Sequence, residues 1–571
     1  MTKNNHLENI SIGPKDTIKV ALQRLAASKP SETNLPQGIV FIVDNKGVML
    51  GIATDGDIRR ALSKGVSLES PILKIMNKNP FVIEGIKSNT EILALVAEKN
   101  RKEQWRDNRL SKIIVVDKNR KVLDLISFYD LWQRSDTRFK QIGVVGLGYV
   151  GLTLALTLAD LGFQVRGFDI NKKVRAALAA GKPTFFEDGI KQILKDNLNK
   201  TFKVADNFAG NDNCDIYFIA VGTPLNNQKE PDMSYMDNAA SRIGKVLKGG
   251  DIVILRSTVP VGTTRNFVIP LLEKNSGLKA GKDFFVAFAP ERTIEGKALK
   301  ELRTLPQVIG GFDKSSTDLA AAAFNHMTHS VVLVDSLEEA EVVKLINNTY
   351  RDVSFAFANE LSLTCNQLGV DTHRVIEAAN RGYERSQVPL PSPGVGGACL
   401  EKDPFILLHS TKNKNASLVR HARVVSDKMV DFVADTTINF LKEKKSGIKN
   451  PKVLVLGFAF KGRPVTSDMR GSTTIPFVKK LQQYTKNVHG FDPAVTRADI
   501  NGLGVKYVSD LQKGFAGADA VVVMNNHPAF EELNIRGLLA GTNKPCFIFD
   551  TWGLHDRSEV EKVRHAHYKR L

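Results

Sequence analysis

The stretch IGVVGLGYVG, from Ile142 to Gly151, decides how the middle of this chain folds. It begins as an apolar strand, runs into the pattern Gly-x-Gly-x-x-Gly and is followed by a helical stretch from Leu152 to Leu161. A second strand then ends at Asp169, 23 residues after the first glycine of the pattern. A glycine motif between strand and helix, with an acidic residue at this distance, is typical of a dinucleotide-binding βαβ unit.

The three glycines of the pattern each suit contact with a pyrophosphate. Gly146 permits the tight turn, Gly148 lets the backbone approach the phosphates, and Gly151 lets helix and strand pack closely. Asp169 would accept hydrogen bonds from the adenosine ribose and repel a 2′-phosphate, which favours NAD over NADP. The alternative is a glycine-rich turn that holds no cofactor. We expect NAD, held by Gly146, Gly148, Tyr149, Val150, Asp169, Thr223 and Thr258.

Three further apolar strands end in residues suited to a ligand crevice. They end at Thr223-Pro224, at Thr258 and at Glu291. The carboxyl ends of parallel strands meet at one edge of a sheet, where ligands bind. We therefore expect Glu291 at the tip of its strand.

The first 135 residues contain an internal repeat. Each unit reads strand, turn, strand and then a helix opened by Thr or Ser with Asp three residues later. A constant offset of 73 residues indicates duplication. The Thr, Ser and Asp residues could also be only helix caps and first-turn carboxylates. The polar segment from Trp132 to Lys140 is expected to be a linker. The matching pairs are Asp44 and Asp117, Thr54 and Ser127, and Asp57 and Asp130.

One long helix is predicted from Ser336 to Gly369. Ser336 and Glu339 can form a capping box, and Gly369 is a typical C-terminal stop. Lys344 and Asn348 are four residues apart and therefore share one face of this helix. From spacing alone, a solvated lysine and a tolerated asparagine are the commoner interpretation.

A shorter helix, Thr372 to Asn380 with Asp371 as its cap, leads into the loop PGVGGACLEKD, Pro393 to Asp403. The proline and glycines exclude an ordinary helix or strand and leave room for a ligand to approach. Cys399 is therefore a candidate nucleophile beside a carboxylate. The alternative is a small buried hydrophobe, which is the usual role of a free cysteine.

Residues after about 448 predict a second α/β unit. Apolar strands begin at Val453, Val488, Ala520 and Phe547, with helical stretches between them. This unit is Rossmann-like but lacks Gly-x-Gly-x-x-Gly. We expect it to bind a nucleotide that does not require the full dinucleotide motif.

Length and composition limit the other possibilities. A chain of 571 residues suggests about three or four domains. No apolar run reaches the ~18 residues of a membrane span, and the N-terminus lacks the apolar core of a secretion signal. The four cysteines are scattered, so we expect a cytoplasmic protein without a metal site. The net charge of +18 comes from dispersed lysines and favours small phosphorylated ligands, or merely a solvated surface, over nucleic acid.

Five motifs lie here in the order found in UDP-glucose/GDP-mannose dehydrogenases, and residues 141 to about 560 resemble that family throughout. The motifs are the glycine pattern with Asp169, the Pro-Glu291 strand end, the helix with Lys344 and Asn348, GGACLEKD, and the strand ending at Lys461. The N-terminal repeat resembles a tandem pair of CBS domains. These resemblances imply an α/β protein with two Rossmann-like domains joined by a long central helix and preceded by a CBS module. The implied domains are a CBS-like module (1–135), an NAD-binding domain (139–335), a central helical dimerisation and catalytic-loop domain (336–447) and a UDP-sugar-binding domain (448–571).

The family resemblance implies four-electron oxidation of a sugar hydroxymethyl group to a carboxylate, with two NAD per turnover. Cys399 matches the nucleophile that holds the intermediate as thiohemiacetal and thioester. Lys344 and Asn348 match the residues that stabilise the oxyanion, while Asp403, with Glu291 through water, matches the general base. Lys461 and Gly396 match substrate contacts, and Arg470 matches an arginine at the NAD phosphates. The CBS resemblance implies an adenine nucleotide held by Thr54, Asp57, Ser127 and Asp130.

Departures from the family pattern narrow the substrate. Leu400-Glu401 replace an aromatic-Pro pair usual in the UDP-glucose branch, and the segment from Asp550 to Gly553 lacks the arginine found there. The segments 291–296 and 377–381 are more similar to the UDP-N-acetylhexosamine branch. We expect a UDP-N-acetylhexosamine ahead of UDP-glucose, a homodimer or higher homo-oligomer, and a product used in surface polysaccharide. The alternatives are a simple two-electron dehydrogenase and a non-catalytic nucleotide-sugar sensor.

Overall fold

The computed structural model of this chain describes residues 7, 10–27, 38–85, 91–92, 95, 112–127, 140–206, 214–411, 417–445 and 447–571. Within these ranges the strands form two three-stranded sheets, one eight-stranded sheet and one six-stranded sheet. No helix of the described ranges is long and apolar enough to cross a membrane.

The two N-terminal sheets follow one pattern. In each, the first two strands are parallel, the second and third form an antiparallel hairpin, and the hairpin register shifts at equivalent positions. The equivalent hairpin strands start 73 residues apart, so the predicted duplication is confirmed. The elements are β1 (Ser11–Ile12), α1 (Ile18–Ala27), β2 (Ile39–Val43), β3 (Met49–Thr54), α2 (Asp55–Ser63), β4 (Val82–Glu84), β5 (Lys112–Val116) and β6 (Val122–Ser127).

Apolar side chains of both repeats form one common core. Phe41 and Met49 of the first repeat belong to the same buried cluster as Val116 and Leu125 of the second. The backbone N–H of Met49 also donates to the carbonyl of Arg120 at 3.0 Å. The repeats are therefore one folding unit. Asp130 and the predicted linker up to residue 139 lie outside the described ranges.

The eight-stranded sheet confirms the first predicted Rossmann-like domain. Its strands are β7 (Gln141–Val145), β8 (Gln164–Phe168), β9 (Phe202–Ala205), β10 (Ile216–Ile219), β11 (Ile252–Leu255), β12 (Phe285–Phe288), β13 (Gln307–Gly311) and β14 (Val331–Val334). Strands β9-β8-β7-β10-β11-β12 are all parallel and have the 3-2-1-4-5-6 order of a doubly wound dinucleotide-binding sheet. Strand β13 is antiparallel to β12 and carries β14 at the sheet edge.

Buried apolar clusters cover both faces of this sheet. The apolar helix begins at Tyr149, inside the glycine motif and three residues earlier than predicted, and it is buried along most of its length, as expected for a helix between a sheet and its neighbours. The helices of the domain are α3 (Tyr149–Asp160), α4 (Lys172–Ala179), α5 (Ile190–Asn197), α6 (Ser234–Gly244), α7 (Ile269–Ser276), α8 (Ala298–Thr304) and α9 (Lys314–Asn325).

Two long helices follow the eight-stranded sheet. The first, α10 (Leu337–Leu368), has 32 residues, and at ~1.5 Å per residue it spans about 50 Å. Ser336 accepts a hydrogen bond from the Glu339 N–H at its start, and Gly369 ends it in a left-handed conformation, as predicted. Helix α11 (Thr372–Asn380) is capped by Asp371, also as predicted. Helices α12 (Asp403–His409) and α13 (Ser417–Lys444) complete the segment, and α13 packs along α10.

The C-terminal sheet repeats the same strand order. Its strands are β15 (Val453–Leu456), β16 (Val488–Phe491), β17 (Lys506–Tyr507), β18 (Ala520–Val523), β19 (Cys546–Asp550) and β20 (Ala566–Arg570), all parallel in the order 3-2-1-4-5-6. The second Rossmann-like prediction is therefore confirmed. Its helices are α14 (Thr474–Leu481), α15 (Arg497–Gly502), α16 (Leu511–Phe515), α17 (Pro528–Glu531), α18 (Ile535–Leu539) and α19 (Arg557–Glu561).

Candidate active site

The glycine motif forms a turn between β7 and α3 that leaves space for a ligand. Gly146 has a φ of 91°, and a Cβ added there would lie 2.7 Å from the carbonyl oxygen of Ala220. A Cβ at Gly151 would overlap the carbonyl oxygen of Gly146 at 1.7 Å. At Gly148, the residue before the first turn of α3, an added Cβ would have no heavy atom within 4 Å, so this position is open. A pyrophosphate therefore fits at the positive end of α3.

Further predicted cofactor residues lie at the carboxyl ends of neighbouring strands and in the first turn of α3. Asp169 follows β8 and accepts a hydrogen bond from the Leu147 N–H at 2.8 Å, which places its carboxylate beside the glycine turn. The Thr223 hydroxyl donates to the Thr258 carbonyl at 2.6 Å, so the carboxyl ends of β10 and β11 meet as predicted. Val150 is half-buried in the first turn of α3.

Tyr149 connects the glycine turn to a second loop. Its hydroxyl donates to Glu187, and burial, followed by this bond, raises the Tyr149 pKa. The Gly296 N–H donates to the Tyr149 hydroxyl at 3.1 Å and to Glu187 at 2.7 Å. Tyr149 therefore ties the cofactor turn to the loop that follows Glu291.

One face of α10 carries two polar residues into the interior. Lys344 is buried, and its ammonium lies 3.8 Å from the carboxylate of Glu291 at the end of β12. Burial lowers the Lys344 pKa, but Glu291, Cys399 and Asp403 outweigh it, so the pKa is raised and the lysine stays charged. The Asn348 amide donates to Asp403 at 2.6 Å. The spacing prediction that both residues share a face is confirmed.

Cys399 lies in a helical turn just before α12. The Asp403 N–H donates to its carbonyl at 2.9 Å, which holds the cysteine and the fully buried carboxylate one turn apart. Cys399 is open to solvent, so the buried-hydrophobe alternative is wrong. Protein atoms still surround the sulfur closely, and this desolvation, followed by the Asp403 charge, raises the thiol pKa while Lys344 and Lys402 oppose the shift.

A buried ion pair holds the cysteine loop on the two long helices. Arg423 of α13 donates to Asp352 of α10 at 2.5 Å, and both side chains are buried. The same guanidinium also donates to the carbonyl oxygens of Val395 and Leu400, with a nitrogen–oxygen distance of 3.4 Å in each case. These carbonyls lie on either side of Cys399 in the chain, so Arg423 fixes both ends of the loop.

The C-terminal domain closes over this region. The Lys461 ammonium donates to the Glu295 carbonyl at 2.8 Å, and burial lowers the Lys461 pKa to about 8. Arg470 lies 2.6 Å from Asp468 and 3.8 Å from Glu295. Burial, then Asp468, raises the Glu295 pKa to about 7. A Cβ on Gly396 would lie 2.6 Å from the Gly471 carbonyl, so this glycine allows close contact with the C-terminal domain.

The predicted nucleotide residues of the first repeat form a helix cap. The Thr54 hydroxyl donates to Asp57 at 2.6 Å, and the Thr54 N–H donates to the same carboxylate at 2.9 Å. Arg60 pairs with Asp57 at 2.6 Å. The capping alternative therefore accounts for Thr54 and Asp57. Asp130 and the side chain of Ser127 lie outside the described residues.

Several site residues have no counterpart among the predicted ones. Arg423 and Asp352 were missed because each is a charged residue in a helix, where solvent exposure is the usual expectation. The loop partners Glu187 and Glu295 were missed because domain contacts, rather than local spacing, bring them to the site. For Arg423 alone the sequence held a signal of burial, because this arginine falls among the regularly spaced apolar residues of the segment 422–441.

Three family models match successive parts of the chain. They describe the NAD binding, central and UDP binding domains of the UDP-glucose/GDP-mannose dehydrogenase family, and they match residues 140–328, 338–428 and 454–557. The chain belongs to this family. A CBS domain model matches residues 1–64.

Alignments of this chain with relatives in the UDP-glucose/GDP-mannose dehydrogenase family cover most of each relative's length. UDP-N-acetyl-D-mannosamine dehydrogenase of Pyrococcus horikoshii is 35% identical over 395 residues, which are 69% of this chain and 91% of the relative. NDP-N-acetyl-D-galactosaminuronic acid dehydrogenase of Ralstonia nicotianae is 32% identical over 406 residues, which are 70% and 93% of the two chains. A solved structure of the P. horikoshii dehydrogenase aligns with TM-score 0.67 and 34% identity over 75% of this chain and 98% of that one.

Family membership and geometry agree on the cofactor and the enzyme class. The open space at Gly148, the N-terminus of α3 and Asp169 suit a dinucleotide. The protein is an NAD-dependent dehydrogenase of nucleotide sugars, and the sensor alternative is excluded.

Replacing Arg423 with Met should destabilise the dehydrogenase by about 3–5 kcal/mol, because Asp352 would remain buried without its counter-charge. The double variant Arg423→Met, Asp352→Met should recover much of this loss, since no unpaired charge remains. Urea unfolding of both variants measures the difference. Arg420→Met, at an exposed position one turn earlier on α13, is the matched control. Equal stability of the Arg423 and Arg420 variants would contradict the role given to the ion pair.

Proposed function

We propose that this enzyme oxidises the C6 hydroxymethyl group of a UDP-N-acetylhexosamine to a carboxylate and reduces two NAD in each turnover. The observation that carries the proposal is a solvent-open thiol placed among a buried ammonium and a buried carboxylate: Cys399, Lys344 and Asp403. A two-electron alcohol oxidation requires no nucleophile. A thiol at this position serves the second oxidation, in which an aldehyde must be held for another hydride transfer.

The first oxidation requires removal of the hydroxyl proton from the sugar. Bound NAD supplies the hydride acceptor in both oxidations. Asp403, with Glu291 acting through water, takes the proton as general base. The ammonium of Lys344 and the amide of Asn348 donate to the sugar oxygen and stabilise its negative charge. The Asn348 to Asp403 hydrogen bond of 2.6 Å supports this arrangement because it fixes donor and base together.

The second oxidation proceeds through covalent attachment to Cys399. The sulfur adds to the aldehyde carbon, forming a C–S bond, and the resulting oxyanion accepts hydrogen bonds from Lys344 and Asn348. Loss of hydride then leaves a thioester. Water activated by Asp403 attacks the thioester carbonyl, the C–S bond breaks, and the thiol and carboxylate are released. In sum, one alcohol, one water and two NAD⁺ give one carboxylate, two NADH and three protons.

Electrostatics around Cys399 support a thiol that is activated only during the reaction. Burial and Asp403 raise its pKa, so the resting sulfur is protonated at neutral pH. Lys344 and Lys402 lower the pKa and stabilise a thiolate when the proton leaves. A resting thiol that is mostly protonated is less exposed to oxidation between turnovers.

The C-terminal domain is proposed to hold the nucleotide part of the substrate, with contacts from Lys461 and Gly396. Lys461 reaches the NAD-binding domain through Glu295, and Gly396 packs on the C-terminal domain, so both residues lie where the domains meet. Arg470 is proposed to contact the NAD phosphates, and its nearness to Glu295 supports a position at the same boundary. The proposed domain limits are 1–135, 139–335, 336–447 and 448–571.

The substrate class rests on the relatives together with the sequence departures. The two curated relatives described above act, by their names, on N-acetylated nucleotide sugars. Leu400 and Glu401 stand where the UDP-glucose branch usually has an aromatic-Pro pair. A UDP-N-acetylhexosamine is therefore preferred, and UDP-glucose is the alternative. The product acid would serve surface polysaccharide synthesis in the cytoplasm, where NAD and nucleotide sugars are available.

The enzyme is proposed to act as a homodimer or higher homo-oligomer. The long helices expose several large apolar side chains that a monomer would leave in water. A continuous helix surface of this kind suits a second copy of the same chain. The exposed residues are Ile346, Tyr350 and Phe357 on α10 and Leu418 and Val424 on α13.

An adenine nucleotide is proposed to bind the CBS module and to regulate the enzyme. The CBS family model at residues 1–64 and the 73-residue repeat support the module. The proposed contacts are Thr54, Asp57, Ser127 and Asp130. The Thr54 and Asp57 cap leaves further lone pairs on both side chains for ribose and phosphate groups.

Limiting UDP-N-acetylhexosamine should yield two NADH per sugar with the wild-type enzyme, because both oxidations occur before release. Cys399→Ala should produce no uronic acid, since the aldehyde cannot be held for the second hydride transfer. Absorbance at the NADH band and product mass spectrometry measure both results. Cys365→Ala, within α10, is the cysteine control. One NADH per sugar in the wild type would favour a simple dehydrogenase, and acid from Cys399→Ala would contradict the mechanism.

The affinity for UDP should fall as pH rises above about 8, because the Lys461 pKa of about 8 means that its positive charge is lost there. Below that pH the ammonium is present and attracts the anion. The loss should approach tenfold per pH unit. Calorimetric titration with UDP from pH 6.5 to 9.5 measures the effect. Lys461→Arg keeps its charge over this range and should remove the pH dependence; an unchanged slope in this variant would assign the titration to another group.

AMP, ADP or ATP should bind the full-length enzyme, and Asp57→Asn should weaken that binding about tenfold by removing one charged acceptor for the ribose hydroxyls. Isothermal titration calorimetry gives both affinities. Asp55→Asn, in the same first turn of α2, is the matched control. Absence of heat with all three nucleotides would remove the regulatory role of the module.

A further inference from the structure

The polar face of α10 extends beyond the two residues described above. Lys344, Asn348 and Arg351 are spaced at i, i+4 and i+7, so they lie on one face of the helix. Lys344 contacts Glu291 at 3.8 Å, and Asn348 contacts Asp403 at 2.6 Å, so this face is turned toward the site. Arg351 is therefore the next side chain along the same wall, one turn further from the start of the helix.

Arg351 differs from the other charged residues of the wall. Lys344 is buried, whereas Arg351 is exposed. Within the part of the chain that the structure describes, the Arg351 guanidinium forms neither an ion pair nor a hydrogen bond. Its neighbour Asp352, by contrast, is held in the buried pair with Arg423. Arg351 thus presents unused donors to the space beside the site.

The C-terminal domain brings a second cation, Lys461, to this side of the site. Its ammonium contacts the Glu295 carbonyl, four residues after the Glu291 that contacts Lys344. Burial and, to a smaller extent, the positive charge of Arg351 lower the Lys461 pKa. Among the described residues, the hydrogen-bond acceptor of the Lys461 ammonium is the Glu295 carbonyl, so two of its three N–H groups remain for a ligand. Two like charges at the border of two domains repel, and an anion bound by both removes that repulsion.

We propose that Arg351 binds the diphosphate of the nucleotide-sugar substrate, together with Lys461, and so positions the sugar C6 at Cys399. The inference rests on the proposed function and names a substrate-positioning residue for it. A planar guanidinium suits a phosphate because two of its N–H groups can donate to two oxygens of one phosphate. Lys461 adds a point charge from the opposite domain. The diphosphate thereby draws the central helix and the C-terminal domain together.

The geometry favours the diphosphate over the sugar as the partner of Arg351. The sugar must lie at Cys399, near Lys344 and Asn348, while Arg351 is a further turn along the helix at about 1.5 Å rise per residue. A neutral acetamido oxygen would relieve little of the repulsion between two cations. A diphosphate carries the opposite charge and relieves it.

The test is calorimetric titration of the full-length enzyme with UDP and with UMP. Arg351→Leu should weaken UDP binding about 10- to 100-fold, the loss typical of a charge-assisted hydrogen bond. UMP, which lacks the second phosphate, should lose less affinity. Arg351→Lys should bind UDP with intermediate affinity, because it keeps the charge but not the fork. Arg564→Leu, an exposed arginine at the amino end of β20, is the matched control and should bind UDP like the wild type.

Two results would overturn the proposal. Wild-type affinity of Arg351→Leu for UDP would do so directly. Unchanged UDP affinity with an altered KM ratio between UDP-N-acetylhexosamine and UDP-glucose would assign Arg351 to the sugar instead. NADH yield of the wild-type enzyme, measured alongside UDP binding by Arg351→Leu, distinguishes failure of this proposal from failure of the proposed reaction. If the wild type yields two NADH per sugar and Arg351→Leu binds UDP normally, only the diphosphate contact is wrong. If the wild type yields no NADH and Arg351→Leu has lost UDP binding, the proposed reaction is wrong and the diphosphate contact stands.

Discussion

The buried ion pair between Arg423 and Asp352 sets the geometry on which the candidate active site depends. It joins the two longest helices that the structure describes, at a point where neither side chain reaches solvent. A buried pair gains little stability over apolar residues, but it tolerates few alternative positions because each charge must keep its partner. The remaining donors of Arg423 reach carbonyls on both sides of Cys399. A loop rich in glycine is thereby held by a rigid helix pair.

The charges around Cys399 stabilise a thiolate when it forms but do not keep the resting thiol ionised. Lys344 stays protonated because nearby acidic groups outweigh its burial, while burial lowers the Lys461 pKa to about 8. Glu295 has a pKa raised to about 7 by burial and by Asp468. The site therefore combines a fixed cation with groups that titrate near neutrality, and protein atoms around them strengthen each interaction relative to water.

Much of the fold could be predicted from local pattern. The glycine turn, the caps at Ser336 and Gly369 and the apolar strands depend on residues close together in sequence, and local physics decides them. Helix α13 was not predicted, because its buried face includes Arg423, Ser426 and Thr437, which hydrophobic periodicity counts as polar. The position of Glu295 against Lys461 depends on how two domains meet over a separation of 166 residues. Family motif order made Cys399, Lys344 and Asn348 candidate site residues, but their mutual arrangement required the structure.

The common core of the two N-terminal repeats has a consequence for how such a module can be inherited. Phe41 and Met49 are covered by Val116 and Leu125, so either repeat on its own would leave a large part of its apolar surface in water. A gene fragment that encoded one repeat would add an incompletely folded, aggregation-prone segment to an otherwise intact enzyme. Selection can therefore add, exchange or discard this module only as a whole, and mutations in one repeat are tolerated only within the limits set by the other.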